Sequence, residues 1–163
     1  MIAIFNKDGH AITPATRGSV ADLMADILAT KHGILDRADL KQMNFSGLQL
    51  KGFTFNDCNL DEANFLQTDF IDCTFLYCSA RSAIFESALF RDCKIKGSDF
   101  RQAIFEKAQM RNTSLFDNDV SKARDFVMQM QIGSLSITVI NDLLSIDDLH
   151  IKHACMLRHW REH

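Results

Sequence analysis

The sequence predicts a repeat protein whose chain turns once every five residues, and three observations predict that solenoid. Every fifth residue from Leu35 to Val120 is apolar: Leu35, Leu40, Phe45, Leu50, Phe55, Leu60, Phe65, Phe70, Phe75, Ala80, Phe85, Phe90, Ile95, Phe100, Phe105, Met110, Leu115 and Val120. Two positions before each stands a second inward candidate, usually smaller, as in Ala38, Cys58, Ala63, Thr68, Cys73, Cys78, Ala83, Cys93 and Ala103. The remaining three positions are mostly polar. An α-helix would wind such a stripe around its whole circumference, and a strand would throw it alternately to both faces.

The pattern of a small residue, a polar one, Leu or Phe and two mostly polar residues is seen in Arg37-Ala38-Asp39-Leu40-Lys41, Glu62-Ala63-Asn64-Phe65-Leu66 and Gln102-Ala103-Ile104-Phe105-Glu106. It resembles the pentapeptide-repeat family. The resemblance implies a mainly β fold, a right-handed quadrilateral parallel β-helix with about four pentapeptides per turn and coils at the ~4.8 Å strand spacing. Residues twenty apart then lie over one another. Phe45, Phe65, Phe85 and Phe105 form one ladder, Leu50, Phe70, Phe90 and Met110 a second, and Phe55, Phe75, Ile95 and Leu115 a third. Leu40, Leu60, Ala80, Phe100 and Val120 complete the fourth side. Ala80 is undersized, with Tyr77 or Phe100 as the bulk that fills the gap, and bulky Phe53 marks a local distortion.

The segments follow in order. Residues 1–34 read as a strand or hairpin plus a capping helix. Ile2-Ala3-Ile4-Phe5 and Ala11-Ile12-Thr13 flank an Asp8-Gly9 turn signal. Ser19 is an N-cap with Asp22 in the first turn, and Val20, Leu23, Met24, Ile27 and Leu28 keep the spacing of an amphipathic helix that Gly33 stops. That helix covers the first coil. Residues 35–122 are the repeat. In residues 123–163 the register stops, and 126–132, 136–141 and 149–152 read as strands of a small β cap, with Met156 to Trp160 as a closing turn or helix. A solenoid needs such ends because its open edges and apolar rungs would otherwise associate. The tail around Gln131-Ile132-Gly133-Ser134 resembles those of bacterial and phage-encoded pentapeptide proteins.

A formal charge of −3 over 163 residues shows neither the basic excess of a nonspecific nucleic-acid binder nor a strong acidic excess. No direct nucleic-acid contact is expected. No apolar run approaches the ~18 residues of a membrane span, and Met1 to Ala11 lacks the pattern of a secretion signal; the expectation is a cytoplasmic protein away from the membrane. Five cysteines, four on repeat positions, fit reduced thiols that fill a tight interior, although Cys58 with Cys78 and Cys73 with Cys93 stack within disulfide reach. His150, His153, Cys155, His159 and His163 gather in the tail without an established zinc spacing, so no metal and no cofactor is expected.

Catalytic signatures are absent: there is no G-x-S-x-G and no phosphate-cradling glycine loop. Asp39, Asn44, Asn59, Asn64, Asp69, Asp99 and Asp119 recur just before the central residue because Asp and Asn suit turns. The expected function is a non-catalytic, rigid protein-interaction scaffold. Its candidate partner-binding acidic face is Asp57, Asp61, Glu62, Asp69 and Asp72, and basic residues dominate further on, from Arg91 to Arg111. The resemblance implies one alternative, a DNA mimic that binds a type II topoisomerase, DNA gyrase or topoisomerase IV. A phage-encoded or secreted effector that occupies a host protein is another. The tail strands could also join two chains as a homodimer.

Overall fold

The computed structural model describes residues 3–13, 18–132 and 135–140. At its start, β1 (Phe5–Asn6) opens a hairpin in which the Asn6 N–H bonds the His10 carbonyl at 2.8 Å and the Ile12 N–H bonds that of Ile4 at 2.8 Å. Gly9 turns the loop at φ 82°, where a side chain would be strained. The α-helix α1 (Val20–Lys31) is closed at its start by a capping box, Ser19 and Asp22 each bonding the other's backbone N–H. It ends through His32 and Gly33, both at positive φ. Leu23, Met24 and Ile27 are buried in the common core, whereas Leu28 of the expected stripe is 43% exposed.

The solenoid follows as β2 (Ile34–Asp36), β3 (Ala38–Asp39), β4 (Gln49–Lys51), β5 (Thr54–Asn56), β6 (Asp69–Ile71), β7 (Thr74–Leu76), β8 (Leu89–Arg91), β9 (Lys94–Lys96), β10 (Gln109–Arg111) and β11 (Ser114–Phe116). Parallel pairing joins β2, β5, β7, β9 and β11 into one sheet and β4, β6, β8 and β10 into another. Each pair is in register twenty residues apart, for example Phe55 with Phe75 and Phe70 with Phe90. The other two sides are single bridges: Asp39, Asn59, Ser79, Asp99 and Asp119 on the Leu60 face, and Asn44, Asn64, Ile84, Ile104 and Arg124 on the Phe65 face. Around one coil the order is five-stranded face, Leu60 face, Phe65 face, four-stranded face.

Two kinds of corner make this shape. The residue two after each central residue has positive φ, from Arg37 (52°) through Glu62 (60°) and Tyr77 (54°) to Lys122 (59°). On the Leu60 and Phe65 faces the central carbonyl also accepts the N–H three residues on, as from Ala63 to Leu60 at 3.1 Å and from Ala88 to Phe85 at 3.0 Å. Positive φ at only the third residue, with that bond, is a type II turn. Asp and Asn before the central residue brace it: Asp39, Asn44, Asn59, Asn64, Asp99 and Asp119 each accept the N–H two residues on. Asp69 does not, because its face is a strand; it bonds Arg91 instead.

Aromatic stacking fills the axis. Ring centroids lie 4.8 Å apart for Phe45 and Phe65, 5.0 Å for Phe65 and Phe85, 4.9 Å for Phe85 and Phe105, 4.8 Å for Phe55 and Phe75 and 4.7 Å for Phe70 and Phe90. Leu40, Leu50, Leu60 and Phe100 share this buried core. Ala80 is fully buried, and Phe100, one coil on in the same column, is buried with its ring edge-on to Phe85 at 5.8 Å; Tyr77 points outward, 55% exposed. Phe53 causes no break, since the Thr54 N–H bonds Gly33 and the Thr74 N–H bonds Phe53 in the regular register. Gly33 stands one coil below Phe53, and a side-chain carbon there would come within 2.9 Å of the Gly52 carbonyl and 3.4 Å of the Phe53 Cα. The missing side chain lets the backbone at Gly52 and Phe53 come close.

The inner cysteines also act as donors. The thiols of Cys58, Cys73, Cys78 and Cys93 bond the carbonyls of Leu35, Leu50, Phe55 and Phe70, each 23 residues back, at 3.2–3.5 Å. Thr68 and Asn118 do the same to Phe45 and Ile95. All four thiols are free and buried. The neighbouring thiol, then burial, pushes Cys58 and Cys73 well above the ordinary thiol range.

Both ends are covered. At the first coil β1 pairs antiparallel with β3, Phe5 opposite Asp39, a pairing without a sequence signal. At the other end the apolar period ceases at Val120, yet the backbone carries the coil on to Arg124, which bridges Ile104. Phe126 then closes the Phe65 ladder, edge-on to Phe105 at 4.9 Å. The last strands among the described residues, β12 (Val127–Ile132) and β13 (Leu135–Ile140), form an antiparallel pair, and β12 lies beside β10. The expected strand at 149–152 and the closing turn at Met156 to Trp160 lie outside the described residues.

Candidate interaction surface

With the interior closed, chemistry is left to the outer columns. The five acidic candidates are placed on different sides. Asp57 stands at the corner after the five-stranded face, 2.6 Å from the Lys7 ammonium and 4.0 Å from Arg37. Asp61 and Glu62 occupy the Leu60 face. Asp61 accepts from the Ser79 hydroxyl at 2.6 Å and the Arg81 N–H at 2.9 Å. Glu62 accepts from the Gln42 amide at 2.7 Å and pairs with Lys41 at 3.2 Å, which together hold its carboxyl below the usual range. Asp69 lies on the four-stranded face, across the coil from Asp61 and Glu62, bonded to Arg91 and to Gln49 at 3.3 Å. Asp72 is exposed at the following corner. So the coil brings Asp57, Asp61 and Glu62 together and sets Asp69 and Asp72 apart.

Charges along the chain interleave on folding. Arg81 and Arg101 both reach Asp99, at 2.6 and 2.8 Å, and Arg101 lies 3.6 Å from Asp119. Partial burial works to raise the Asp99 carboxyl, but the two guanidiniums outweigh it and lower it to about 2. Elsewhere an amide separates stacked acids from their neighbours: Asn56 donates to Asp36, Asn59 to Asp39, Gln49 to Asp69 and Asn112 to Asp92.

A second group lies on the five-stranded face, and sequence reasoning, which counted Lys94 and Lys96 within the basic stretch, did not set them beside exposed rings. Lys94 and Lys96 of β9 are exposed, and among the described residues neither has a carboxylate within ion-pair distance. Tyr77 and Phe116, 55% and 43% exposed, flank them. The signal was available: Phe116 falls one position off the period, which points it outward. Among the described residues no group of three or more His, Cys, Asp or Glu could hold a metal ion, and the tail histidines lie outside them. Among the same residues no helix is long and apolar enough to cross a membrane.

A family model described as pentapeptide repeats matches in overlapping stretches, residues 38–75, 54–86 and 83–117, with 8 copies. The chain belongs to the pentapeptide-repeat family. Such proteins are in general structural or interaction scaffolds. Solved pentapeptide-repeat structures similar to this chain include one from the Arabidopsis thaliana thylakoid lumen, 24% identical over 63% of this chain and 70% of that one, TM-score 0.36. A trypsin-treated form of QnrB1, a plasmid-mediated fluoroquinolone resistance protein, is 14% identical over 57% and 77% of the two chains, TM-score 0.22. HetL from Nostoc sp. strain PCC 7120, involved in heterocyst differentiation regulation, is 16% identical over 63% and 68%, TM-score 0.19. Among curated protein sequences none matches.

Proposed function

We propose that this pentapeptide-repeat protein is a non-catalytic scaffold whose protein partner recognises the fixed outer columns of the coil. One observation carries the reading. The central residues of the repeats, every fifth from Phe45 to Phe105, are at most 2% exposed, so they stack out of reach of any substrate, and the inner thiols are held on backbone carbonyls. What a partner can touch is an outer surface of columns repeated at the ~4.8 Å strand spacing. Such preorganisation keeps the ordering cost of binding low.

The test is affinity capture from a bacterial extract with the full chain, beside a variant reversing Asp61, Glu62, Asp69 and Asp72 to Lys and one reversing Lys94 and Lys96 to Glu. Saturable capture lost in one surface variant, with unchanged melting, supports the scaffold. Capture of a topoisomerase subunit in a salt-sensitive way, lost with the acidic residues, selects the DNA-mimic alternative. No saturable partner in extracts of the source cell, or capture indifferent to every surface variant, contradicts the reading.

Self-association is part of the same proposal, because among the described residues β12 and β13 pair only with each other, and such a sheet can be extended by a second copy. Sedimentation equilibrium is expected to show a dimer, and a monomer at high concentration overturns this part.

A further inference from the structure

The five-stranded face differs from the other three sides in what it leaves uncovered. Among the described residues the large apolar side chains left well exposed are Phe5, Leu28, Ile34, Tyr77 and Phe116. Phe5 and Leu28 belong to the N-terminal hairpin and helix; Ile34, Tyr77 and Phe116 all lie on the five-stranded face or its corner. Among the described residues the other three sides contribute none.

Tyr77 is held in a particular way. It occupies a corner at φ 54°, and its ring lies against Gly97, one coil on, where a side-chain carbon would fall 2.6 Å from the ring. Gly97 therefore lets the ring lie along the next corner. The Phe116 ring carries the Lys96 ammonium 5.6 Å from its centroid, a cation–π distance. The register places Lys94 between Thr74 and Ser114, and Lys96 between Leu76 and Phe116. Arg81, Arg91 and Arg101 each have a carboxylate partner; Lys94 and Lys96 do not. Asp72, Asp92 and Asp117 stand at the corners of this face, and none is paired with Lys94 or Lys96; between its corners the face presents two ammonium groups with an exposed ring on the coil to either side, which complements negative charge beside an aromatic or aliphatic side chain.

Resting on the scaffold reading above, we propose that the surface from Tyr77 to Phe116 docks an extended acidic segment of a partner protein, with aromatic or aliphatic side chains beside its carboxylates. The two rings are about two coils apart, roughly 10 Å at the strand spacing, which about four extended residues span. The strands of this face are paired within the coil, so side chains rather than a free sheet edge make the contact. A single-stranded nucleic acid could use the same elements, stacked rings with cations. Two lysines in a chain of net charge −3 favour the peptide.

The experiment is selection of displayed random peptides on the full chain. Enriched sequences are expected to combine Asp or Glu with Phe, Trp, Tyr or Leu. Synthetic copies are expected to bind on the order of tenfold more weakly to K94E/K96E, and similarly to Tyr77→Ser and Phe116→Ser. Lys107→Glu, on the opposite face, leaves binding unchanged, and unaltered melting shows that each variant is folded. Enriched peptides without acidic residues, or full affinity retained by K94E/K96E, overturn the inference while the scaffold stands. Tighter binding of an oligothymidylate, lost in K94E/K96E, replaces the peptide with nucleic acid and also overturns it. No enrichment of any peptide overturns the inference too, and extract capture then decides the scaffold separately.

Discussion

The Asn59 side-chain amide donates to the Asp39 carboxylate at 3.0 Å, from the equivalent position one coil on, while its own oxygen accepts the Asp61 N–H at 3.1 Å. A single residue thus braces its corner and gives the Asp39 carboxylate of the coil beneath a neutral donor for a neighbour. Asn59→Asp keeps the corner bond and places two carboxylates at strand spacing, so a loss of roughly 1 kcal/mol at neutral pH is expected. Urea titration checks it. Protonating the carboxyls removes the repulsion, so the variant should regain stability relative to wild type as pH falls through the carboxylate range.

Phe65 lies between Phe45 and Phe85 at 4.8 and 5.0 Å. Phe65→Ala is expected to cost roughly 3–5 kcal/mol in chemical unfolding. Phe126→Ala, at the closing end of the ladder, where Phe105 is its one ring contact among the described residues, should cost less.

The Cys78 thiol bonds the Phe55 carbonyl at 3.3 Å. Cys78→Ala removes the donor and should cost about 1 kcal/mol, whereas Cys78→Ser keeps one, as Thr68 does at 2.8 Å to Phe45. Thermal melts of the two variants separate packing from hydrogen bonding: equal losses would make the thiol mere filling.

Asp99 is lowered to about 2 by Arg101 and Arg81 against partial burial. A carboxyl lowered on folding stabilises above its unfolded pKa, near 4, and loses that contribution as pH falls through the folded value. The contribution is roughly 1–2 kcal/mol after allowing for half-exposed arginines. Asp99→Asn should therefore narrow the stability gap to wild type between about pH 4 and 2, and an unchanged gap there contradicts the ion-pair account.

Ser82 sits at a corner with φ 55°. A β-branched residue is strained there, so Ser82→Val should destabilise by about 1–2 kcal/mol while Ser82→Gly stays near neutral.

The ladders were legible because burial of Leu and Phe has no tolerance for phase: Phe45, Phe65, Phe85 and Phe105 must share one side if the chain turns every five residues. The corners were not. Arg37, Tyr77 and Lys107 occupy left-handed positions that ordinarily favour Gly, so composition hid the turn two residues after each central residue. Which sides are strands and which are turns shows only in Asn59 or Asp99 against Thr54 or Thr74. Charge counted along the chain misled for a geometric reason, since a coil carries Asp69 away from Asp61 and sets it against Arg91. The antiparallel seat of β1 on β3 depends on distant backbone groups and has no local mark.

The central claim is that function resides on the outer columns and the Phe interior only holds them in place. Affinity for a captured partner, or for a selected peptide, should be measured on K94E/K96E and on Phe90→Leu beside wild type. Phe90→Leu is expected to lower the melting temperature and leave affinity intact, and K94E/K96E to do the reverse. Affinity that follows melting temperature across the three proteins, regardless of Lys94 and Lys96, would contradict the account.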